Sequence, residues 1–236
     1  MIIIQSNSNS TGLNLSIEDY LFTQRKEEFL FLYVNEPSVV MGHNQRLLSE
    51  VNSQFCAENN IPVYRRMSGG GTVFHDLGNL NYCFISNRIE GDSPLNDHFL
   101  QVIVDVLKDL HIEAHIGKRK DLWLPGGYKI SGTASHITKK RELHHGTLLY
   151  DTNLDKLEKS LSSQAEKSEI SKVASVHSPV KNIRAYLVDQ KYMDQEACVF
   201  FRLVTDKLLH LYSLGSVAGL SDEEMSLIKP LEPIFK

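Results

Sequence analysis

Residues 65–79 hold the densest set of residue types that could do chemistry. They read Arg-Arg-Met-Ser-Gly-Gly-Gly-Thr-Val-Phe-His-Asp-Leu-Gly-Asn, between two strand-like stretches. Three consecutive glycines let a backbone lie flat against a ligand and direct successive N–H groups at anionic oxygens. A plain hairpin tip needs one or two glycines and no arginine pair before them. The segment therefore predicts an anion-binding loop, and it has neither the dinucleotide-binding nor the P-loop spacing.

A second segment, residues 127–134, places a lysine on a predicted strand. It reads Gly-Tyr-Lys-Ile-Ser-Gly-Thr-Ala and follows a Pro-Gly-Gly turn. Lys129 and Ser131 share one face of a strand because side chains alternate. A lysine facing a glycine-rich loop could stabilise a phosphate or a developing oxyanion. The alternative is an edge-strand lysine that blocks aggregation, but the glycine that follows favours close approach of a ligand.

Two adjacent histidines, His144 and His145, enter a predicted strand over residues 146–150. Neighbouring strand residues point to opposite faces, so at most one of them can face a site. Their spacing is not a metal signature, and no carboxylate or cysteine is placed beside them for zinc. A structural role is an alternative for each, and it is favoured for His144.

The elements that must position these residues follow from hydrophobic periodicity and turn residues. Helices are predicted from Asn14 or Ser16 to about residue 26, over 49–60, 94–111, 155–163 and 197–212, and after Ser221. Strands are predicted over 2–4, 29–34, 38–41, 61–64, 72–74, 80–85, 113–116, 121–124, 128–134 and 146–150. Because β and α elements do not alternate regularly, we expect one α+β domain, with a mixed sheet flanked by helices, rather than a barrel or Rossmann layout.

Composition excludes several classes of protein. The 236 residues carry a formal net charge of −4, so no strong field for nucleic acid is expected. The three cysteines, Cys56, Cys83 and Cys198, are widely spaced and favour a reduced compartment. We expect no signal peptide and no membrane span, since no apolar stretch is long enough. A cytoplasmic protein is therefore predicted.

Taken together, the motifs resemble those of the lipoate–protein ligase A family, the catalytic domain of the biotin/lipoate ligase superfamily. The similarity rests on residues 65–79, on Lys-Ile-Ser-Gly-Thr-Ala at 129–134 and on His-Gly-Thr-Leu-Leu at 145–149. Further support comes from residues 37–45 and 175–182. These segments run in the family's order over most of the chain.

The resemblance implies a mixed sheet related to the class II synthetase core. It implies a single catalytic domain over residues 1–236, without the C-terminal accessory domain of full ligases. It also implies activation of lipoate by ATP with Mg²⁺ to give lipoyl-adenylate, then transfer to a lysine. The implied acceptors are lipoyl domains of 2-oxoacid dehydrogenase E2 subunits and the glycine-cleavage H protein. A separate small accessory protein is a further implied partner.

The resemblance also assigns residue roles. Lys129 would contact the acyl carbonyl and the adenylate phosphate as the catalytic residue, and Asp121 is a candidate ligand for Mg²⁺. The other substrate- and nucleotide-binding residues that it implies are Arg66, Ser68, Gly69, Gly70, Gly71, Val73, His75, Asn79, Asp121, Gly132, Ala134, His145 and Thr147.

Two positions depart from the family pattern. His43 stands where many relatives have an arginine, which puts a phosphate contact in doubt, and Lys120 stands where relatives often have an asparagine. The basic run at residues 118–120 could be a solvated loop, which is the usual fate of such runs, or it could face an acidic lipoyl domain.

Several functions stay open at this stage. The chain could activate lipoate alone, need an accessory protein, or only transfer the acyl group from a supplied acyl-adenylate. An octanoyltransferase or amidotransferase would use a cysteine near the lysine strand, and no cysteine lies between Cys83 and Cys198. A biotin ligase or a non-catalytic binder of lipoyl domains fits less well. The sequence does not separate lipoate from octanoate, because an apolar tunnel accepts either.

Overall fold

The computed structural model describes residues 1–88, 97–161, 178–190 and 194–235, and these form an α+β fold as predicted. The strands are β1 (Ile2–Gln5), β2 (Phe29–Val34), β3 (Ser38–Met41), β4 (Val63–Arg65), β5 (Val73–His75), β6 (Asn79–Asn87), β7 (His115–Ile116), β8 (Leu122–Leu124), β9 (Tyr128–Ser131), β10 (Thr133–Ile137) and β11 (Arg141–Leu149). The helices are α1 (Thr11–Thr23), α2 (Leu47–Glu50), α3 (Ser53–Glu58), α4 (His98–Asp109), α5 (Leu154–Leu161), α6 (Ile183–Asp189), α7 (Ala197–Leu211) and α8 (Asp222–Leu227).

The strands form three sheets in the described part of the chain, where one mixed sheet was expected. A five-stranded sheet has the order β1-β2-β6-β11-β10, with β1 parallel to β2 and the other pairs antiparallel. A three-stranded sheet, β4-β3-β5, is also mixed, and a second one, β7-β8-β9, is antiparallel. The mixed character and the flanking helices are confirmed.

Both faces of the five-stranded sheet are buried. Side chains alternate across β2 and β6, so Leu30 and Phe84 face a core built with α4 and α7. Phe31 and Cys83 face the opposite core, which α1 covers. His145 pairs with Cys83 across the β6–β11 ladder, so it points to the α1 side, whereas His144 points to α4. The prediction that the two histidines face opposite ways is confirmed.

The strand predicted over residues 128–134 is two strands. Ser131 ends β9 and pairs with Leu122 of the small sheet, and β10 then pairs with β11 of the large sheet. Gly132 lies between them and bonds Thr147 twice: its N–H donates to Oγ1 at 3.1 Å, and its carbonyl accepts from the Thr147 N–H at 3.1 Å. The single-strand prediction was wrong because the chain changes its pairing partner at this glycine.

Two helix predictions need correction, and one helix was not predicted. The helix expected over 49–60 is split into α2 and α3, because Val51 is extended and the Asn52 side chain caps α3. Helix α1 begins earlier than expected, since Ser10 caps it and Asn14 lies buried inside it. Helix α6 was not predicted, whereas the cap at Ser221 is confirmed as a full capping box.

Parts of two predicted helices and of one motif, namely residues 94–96, 162–163 and 175–177, lie outside the described residues. Among the helices that the structure describes, none has the length and apolar character needed to cross a bilayer.

Leu107 of α4 is fully buried in the core between the large sheet and α7. We expect Leu107→Ala to lower the free energy of unfolding by about 2–5 kcal/mol, through lost burial and the cavity left behind. Leu211→Ala at a half-exposed position of α7 is the matched control, and it should change stability by less than about 0.5 kcal/mol. Urea denaturation measures both variants. Equal stabilities for the two would show that this core is not tightly packed.

Candidate active site

A cavity of about 390 Å³ lies where α1, the large sheet and the two small sheets meet. Most residues predicted for the site line it, namely Arg66, Gly70, Gly71, Val73, His75, Asp121, Lys129, Gly132, Ala134, His145 and Thr147. Ser68, Gly69 and Asn79 do not line it, but each is bonded to a residue that does. The structure thus brings the three predicted segments together, and the individual roles stay predictions.

Arg66 is buried and holds the glycine loop from inside. Its Nε donates to Ser68 Oγ at 2.9 Å, and its Nη2 donates to the carbonyls of Gly69 and Gly71 at 2.6 and 2.8 Å. Its Nη1 donates to the Val40 carbonyl at 3.0 Å, so four hydrogen bonds to protein atoms use most of its five N–H groups. The geometry favours a role in shaping the loop over one as a direct clamp on a ligand.

The glycine loop presents its N–H groups on the side opposite these bonds. The Gly70 carbonyl also accepts a hydrogen bond, from Gln45 Nε2 at 3.1 Å. In a trans peptide the N–H points away from the preceding carbonyl. The amides of Gly70 and Thr72 therefore point away from Arg66 and that of Gly71 away from Gln45, and all three residues line the cavity. Backbone amides of a glycine-rich loop can bind an anion, and this role stays a prediction here.

A neighbouring loop, residues 42–45, packs against the glycine loop. Arg65 Nη1 donates to the carbonyls of Gly42, His43 and Gln45 at 3.1, 2.9 and 2.7 Å. The His43 side chain is exposed, while Gln45 lines the cavity. Sequence reasoning missed Gln45 and gave no role to Arg65. The signals were the arginine pair at residues 65–66 for Arg65 and, for Gln45, its place at the end of the segment 37–45.

Lys129 reaches the cavity from β9 and pairs with Asp121. Its Nζ lies 3.3 Å from Asp121 Oδ2, and Asp121 Oδ1 accepts from Trp123 Nε1 at 2.8 Å. Burial lowers the pKa of Lys129, and the Asp121 charge opposes that shift. Burial alone would raise the pKa of Asp121, but the bond from Trp123 and the charge of Lys129 lower it. The pair thus holds a partly buried ammonium, 21 % exposed, beside the cavity.

His145 forms part of the cavity floor and rests on a buried carboxylate. Its Nε2 lies 2.7 Å from Ser68 Oγ, and its Nδ1 lies 3.1 Å from Glu18 Oε2. Glu18 also accepts from Tyr33 Oη at 2.8 Å. Sequence reasoning missed Glu18, although an acidic residue stood on the apolar face of the first predicted helix, three residues before Leu21.

His75 is held as a neutral ring. Its Nδ1 is hydrogen-bonded to Asn35 Nδ2 at 2.9 Å. Burial lowers the pKa of His75 to about 3, helped by the charge of Arg66. Asn79 Nδ2 donates to Asn81 Oδ1 at 3.1 Å, so Asn79 acts on the cavity through Asn81, which lines it.

The cavity wall also has an apolar part. Leu15 of α1, Val40 of β3 and Val73 of β5 line it, and they pack together in one cluster with Tyr64. This patch offers no hydrogen-bonding side chain, so it suits an aliphatic chain. A ligand with an anionic head and an aliphatic tail therefore matches the lining.

The basic run at residues 118–120 is only partly a solvated loop. All three side chains are exposed, and Lys120 pairs with Asp97. Arg119 lines the cavity, and its Nη2 donates to Ser178 Oγ at 2.8 Å and lies 3.5 Å from Asp121 Oδ2.

A Mg²⁺ ion held by Asp121 alone does not fit this geometry. Among the described residues that line the cavity, Asp121 is the acidic one. Its Oδ1 accepts from Trp123, and its buried Oδ2 makes no hydrogen bond but lies 3.3 Å from Lys129 Nζ and 3.5 Å from Arg119 Nη2. A cation at that carboxylate would lie beside two positive charges.

The cysteines do not supply a ligand or nucleophile either. Within the part of the chain that the structure describes, none of the three lines the cavity, and Cys56 and Cys83 are buried.

The fold of the chain is similar to that of solved lipoate protein ligases. An archaeal bi-partite lipoate protein ligase from Thermoplasma acidophilum, solved in a study of that ligase and its E2 lipoyl domain, superposes with a TM-score of 0.76 at 24% identity, over 96% of this chain and 89% of that one. Residues 10–200 match the model of the lipoyl protein ligase A/B catalytic domain, and the chain belongs to that family.

Named relatives agree with this assignment. The chain is 36% identical over 229 residues to lipoate-protein ligase LplJ of Bacillus subtilis, covering 96% of this chain and 66% of LplJ. It is 38% identical over 187 residues to the mitochondrial lipoyl amidotransferase LIPT1 of Homo sapiens, covering 77% of this chain and 49% of LIPT1. The chain thus spans about half to two thirds of the length of these relatives.

Gly42 must remain a glycine for the two loops to pack. A Cβ at this position would lie 2.1 Å from the Gly70 carbonyl oxygen, which is backbone and cannot move freely. We expect Gly42→Ala to displace the glycine loop and to speed amide hydrogen exchange in residues 66–72. Gly215→Ala, where a Cβ meets nothing within 4 Å, is the control. Unchanged exchange in Gly42→Ala would contradict the tight packing of the two loops.

Asp121→Asn should shift the titration of Lys129. The Asp121 charge raises the pKa of Lys129 against the effect of burial, so removing it lowers this pKa further. Lys129 would then lose its proton at lower pH than in the unchanged protein. NMR of ¹³C-methylated lysines as a function of pH measures this shift. Asp155→Asn removes an exposed partner of Lys159 and should leave Lys129 unchanged. A Lys129 pKa that stays constant or rises in Asp121→Asn would contradict the pairing.

Proposed function

We propose that this chain is the catalytic part of a lipoate–protein ligase, which forms lipoyl-adenylate from lipoate and ATP and transfers the lipoyl group to a lysine of a lipoyl domain. The observation that carries the proposal is one cavity that combines an apolar patch, a row of glycine-loop amides and the Lys129 ammonium. An aliphatic acid and a nucleotide phosphate are the ligands that such a set suits. The family membership and the name of LplJ support the same reaction.

In the first step the lipoate carboxylate attacks the α-phosphorus of ATP. A bond forms between the carboxylate oxygen and phosphorus, the bond to the bridging oxygen breaks, and pyrophosphate leaves. Lys129 would stabilise the negative charge on the phosphate oxygens, as would the amides of Gly70 and Gly71. The patch of Leu15, Val40 and Val73 would hold the aliphatic chain, so that the carboxylate is oriented for attack.

In the second step the acceptor lysine amine attacks the acyl carbon of the adenylate. An amide bond forms, AMP leaves, and the amine gives up a proton. The acyl group is already activated, so the protein needs no nucleophile of its own. Lys129 would stabilise the oxyanion that forms at the acyl carbonyl, and enclosure of the adenylate would keep water away.

ATP adenylation requires Mg²⁺, and we propose that the ion binds through the ATP phosphates. Asp121 Oδ2 lies beside the positive charges of Lys129 and Arg119, which would repel a cation, and Mg²⁺ commonly binds through substrate phosphates and few protein ligands.

The proposed protein partners are lipoyl domains of E2 subunits and the glycine-cleavage H protein. The bi-partite ligase studied with its E2 lipoyl domain in Thermoplasma acidophilum supports this class of acceptor. It also supports a separate small accessory protein as a further partner. A cytoplasmic location suits these acceptors.

The second candidate is a lipoyl amidotransferase, which would move a lipoyl group between proteins, and the 38% identity to LIPT1 favours it.

The first experiment is lipoate-dependent exchange of pyrophosphate into ATP by the purified chain. Exchange supports the ligase. If the chain shows no exchange but transfers the lipoyl group from synthetic lipoyl-adenylate to a lipoyl domain, it catalyses the transfer step alone. A partner protein would then activate lipoate. Transfer only from a lipoylated donor protein would establish the amidotransferase.

Lys129→Ala should reduce lipoate-dependent exchange by at least 10³-fold and leave the fold intact. The reason is that an ammonium placed at developing charge is worth several kcal/mol. Lys129→Arg is the matched variant that keeps the charge, and it should also be impaired, because a planar guanidinium does not replace a compact ammonium. Circular dichroism controls for folding. A fully active Lys129→Ala would refute the assignment of this residue.

A further inference from the structure

A continuous chain of hydrogen bonds runs under the cavity from a buried cation to a buried anion. Arg66 Nε donates to Ser68 Oγ at 2.9 Å, Ser68 Oγ lies 2.7 Å from His145 Nε2, and His145 Nδ1 lies 3.1 Å from Glu18. Glu18 is 2 % exposed and Arg66 6 %, so both charges are out of solvent. Glu18 does not line the cavity, and neither the motifs nor the comparisons give it a role.

With His145 as a neutral ring, the donors and acceptors give this chain one direction. Glu18 accepts, so His145 Nδ1 carries a proton and donates it. Ser68 Oγ already accepts from Arg66, so its own hydroxyl proton is free to be donated. The acceptor 2.7 Å away is His145 Nε2, which therefore has no proton and accepts. Every link then donates in one sense, from Arg66 through Ser68 and His145 to Glu18.

The surroundings of Glu18 keep it ionised. Burial opposes its charge, but the electrostatic interaction with His145 and the hydrogen bonds from His145, Tyr33 and Cys83 outweigh burial, and the pKa of Glu18 is lowered. Burial raises the pKa of the Cys83 thiol well above its usual value, so the sulfur keeps its proton and donates it to Glu18. Glu18, Cys83 and His145 lie close enough to resemble a metal site, yet they form a carboxylate with its hydrogen-bond donors.

We propose that Glu18 is a positioning residue: it holds His145 with its proton on Nδ1, and through His145 and Ser68 it fixes the glycine loop that faces the ligand. Glu18 also balances the charge of Arg66, which would otherwise be buried without an anion nearby. The effect on catalysis rests on the proposed function, but the position of the His145 proton does not.

Glu18→Gln tests this directly because it keeps the shape and removes the charge. An amide nitrogen opposite His145 Nδ1 would place two donors 3.1 Å apart. The conflict is relieved if the ring proton moves to Nε2. Ser68 Oγ would then accept from both Arg66 and His145, and its hydroxyl would turn elsewhere. We expect the loop to lose its fixed shape while the fold remains.

The first measurement is the protonation of His145 by ¹⁵N NMR of the histidine rings, with His145→Gln to identify its signal. The unchanged protein should show the proton on Nδ1, and Glu18→Gln should show it on Nε2. Asp19→Asn, which removes the neighbouring acid on α1, should leave the proton on Nδ1 and serves as the control. A proton on Nε2 in the unchanged protein, or on Nδ1 in Glu18→Gln, would overturn the proposal.

The second measurement is a double-mutant cycle on lipoate-dependent exchange. Glu18→Gln should lower kcat/KM at least tenfold, whereas it should have less than a threefold effect in a His145→Gln background, because Glu18 acts through that ring. Equal effects in both backgrounds would mean that Glu18 stabilises the fold alone and would refute the proposal. If the unchanged protein shows no exchange, the proposed function fails, and the NMR result still decides the role of Glu18.

Discussion

The buried guanidinium of Arg66 is the interaction on which the cavity depends. A buried cation is costly unless its N–H groups are satisfied and an anion is near. Arg66 meets the first condition with carbonyls of the glycine loop and of β3, and the second through Glu18. Because Arg66 holds the carbonyls of Gly69 and Gly71, the amides that follow them point away from the guanidinium. One buried charge therefore fixes the shape of a loop whose residues line the cavity.

The sheets bring the second positive group to the opposite wall. The chain leaves the small sheet at Ser131 and joins the large sheet after Gly132. Strand β9 therefore lies beside the cavity, whose floor belongs to the large sheet. Lys129 is on that strand and pairs with Trp123 of β8, and Asp121 directly precedes β8. The lysine thus has a fixed carboxylate partner and a defined direction, which a lysine on an exposed edge strand would lack.

Much of this site could be predicted from sequence, because its ligand-facing residues lie in compact motifs with unusual glycine and arginine content. The positions of β2, β3 and β6 also followed from local patterns. Glu18, Gln45 and Arg65 could not be assigned in the same way, since their roles arise from contacts with residues 20 to 127 positions away. The break at Gly132 could not be predicted either. The segments before and after it both have strand-like composition, and they differ only in the strands with which they pair.

The lining also limits what this cavity can select. Its apolar patch of Leu15, Val40 and Val73 contacts an aliphatic chain without hydrogen bonds, and such surfaces separate ligands differing by a methylene-sized group by about 1–3 kcal/mol. Lipoate and octanoate share their carboxylate, so the charged groups treat them alike. Under the proposed function, strong selection must therefore come from the shape of the apolar wall or from the acceptor protein, whose lysine would have to reach an adenylate bound beside Lys129. The fixed donors would then favour activation of a carboxylate, and the choice of chain and acceptor would depend on packing.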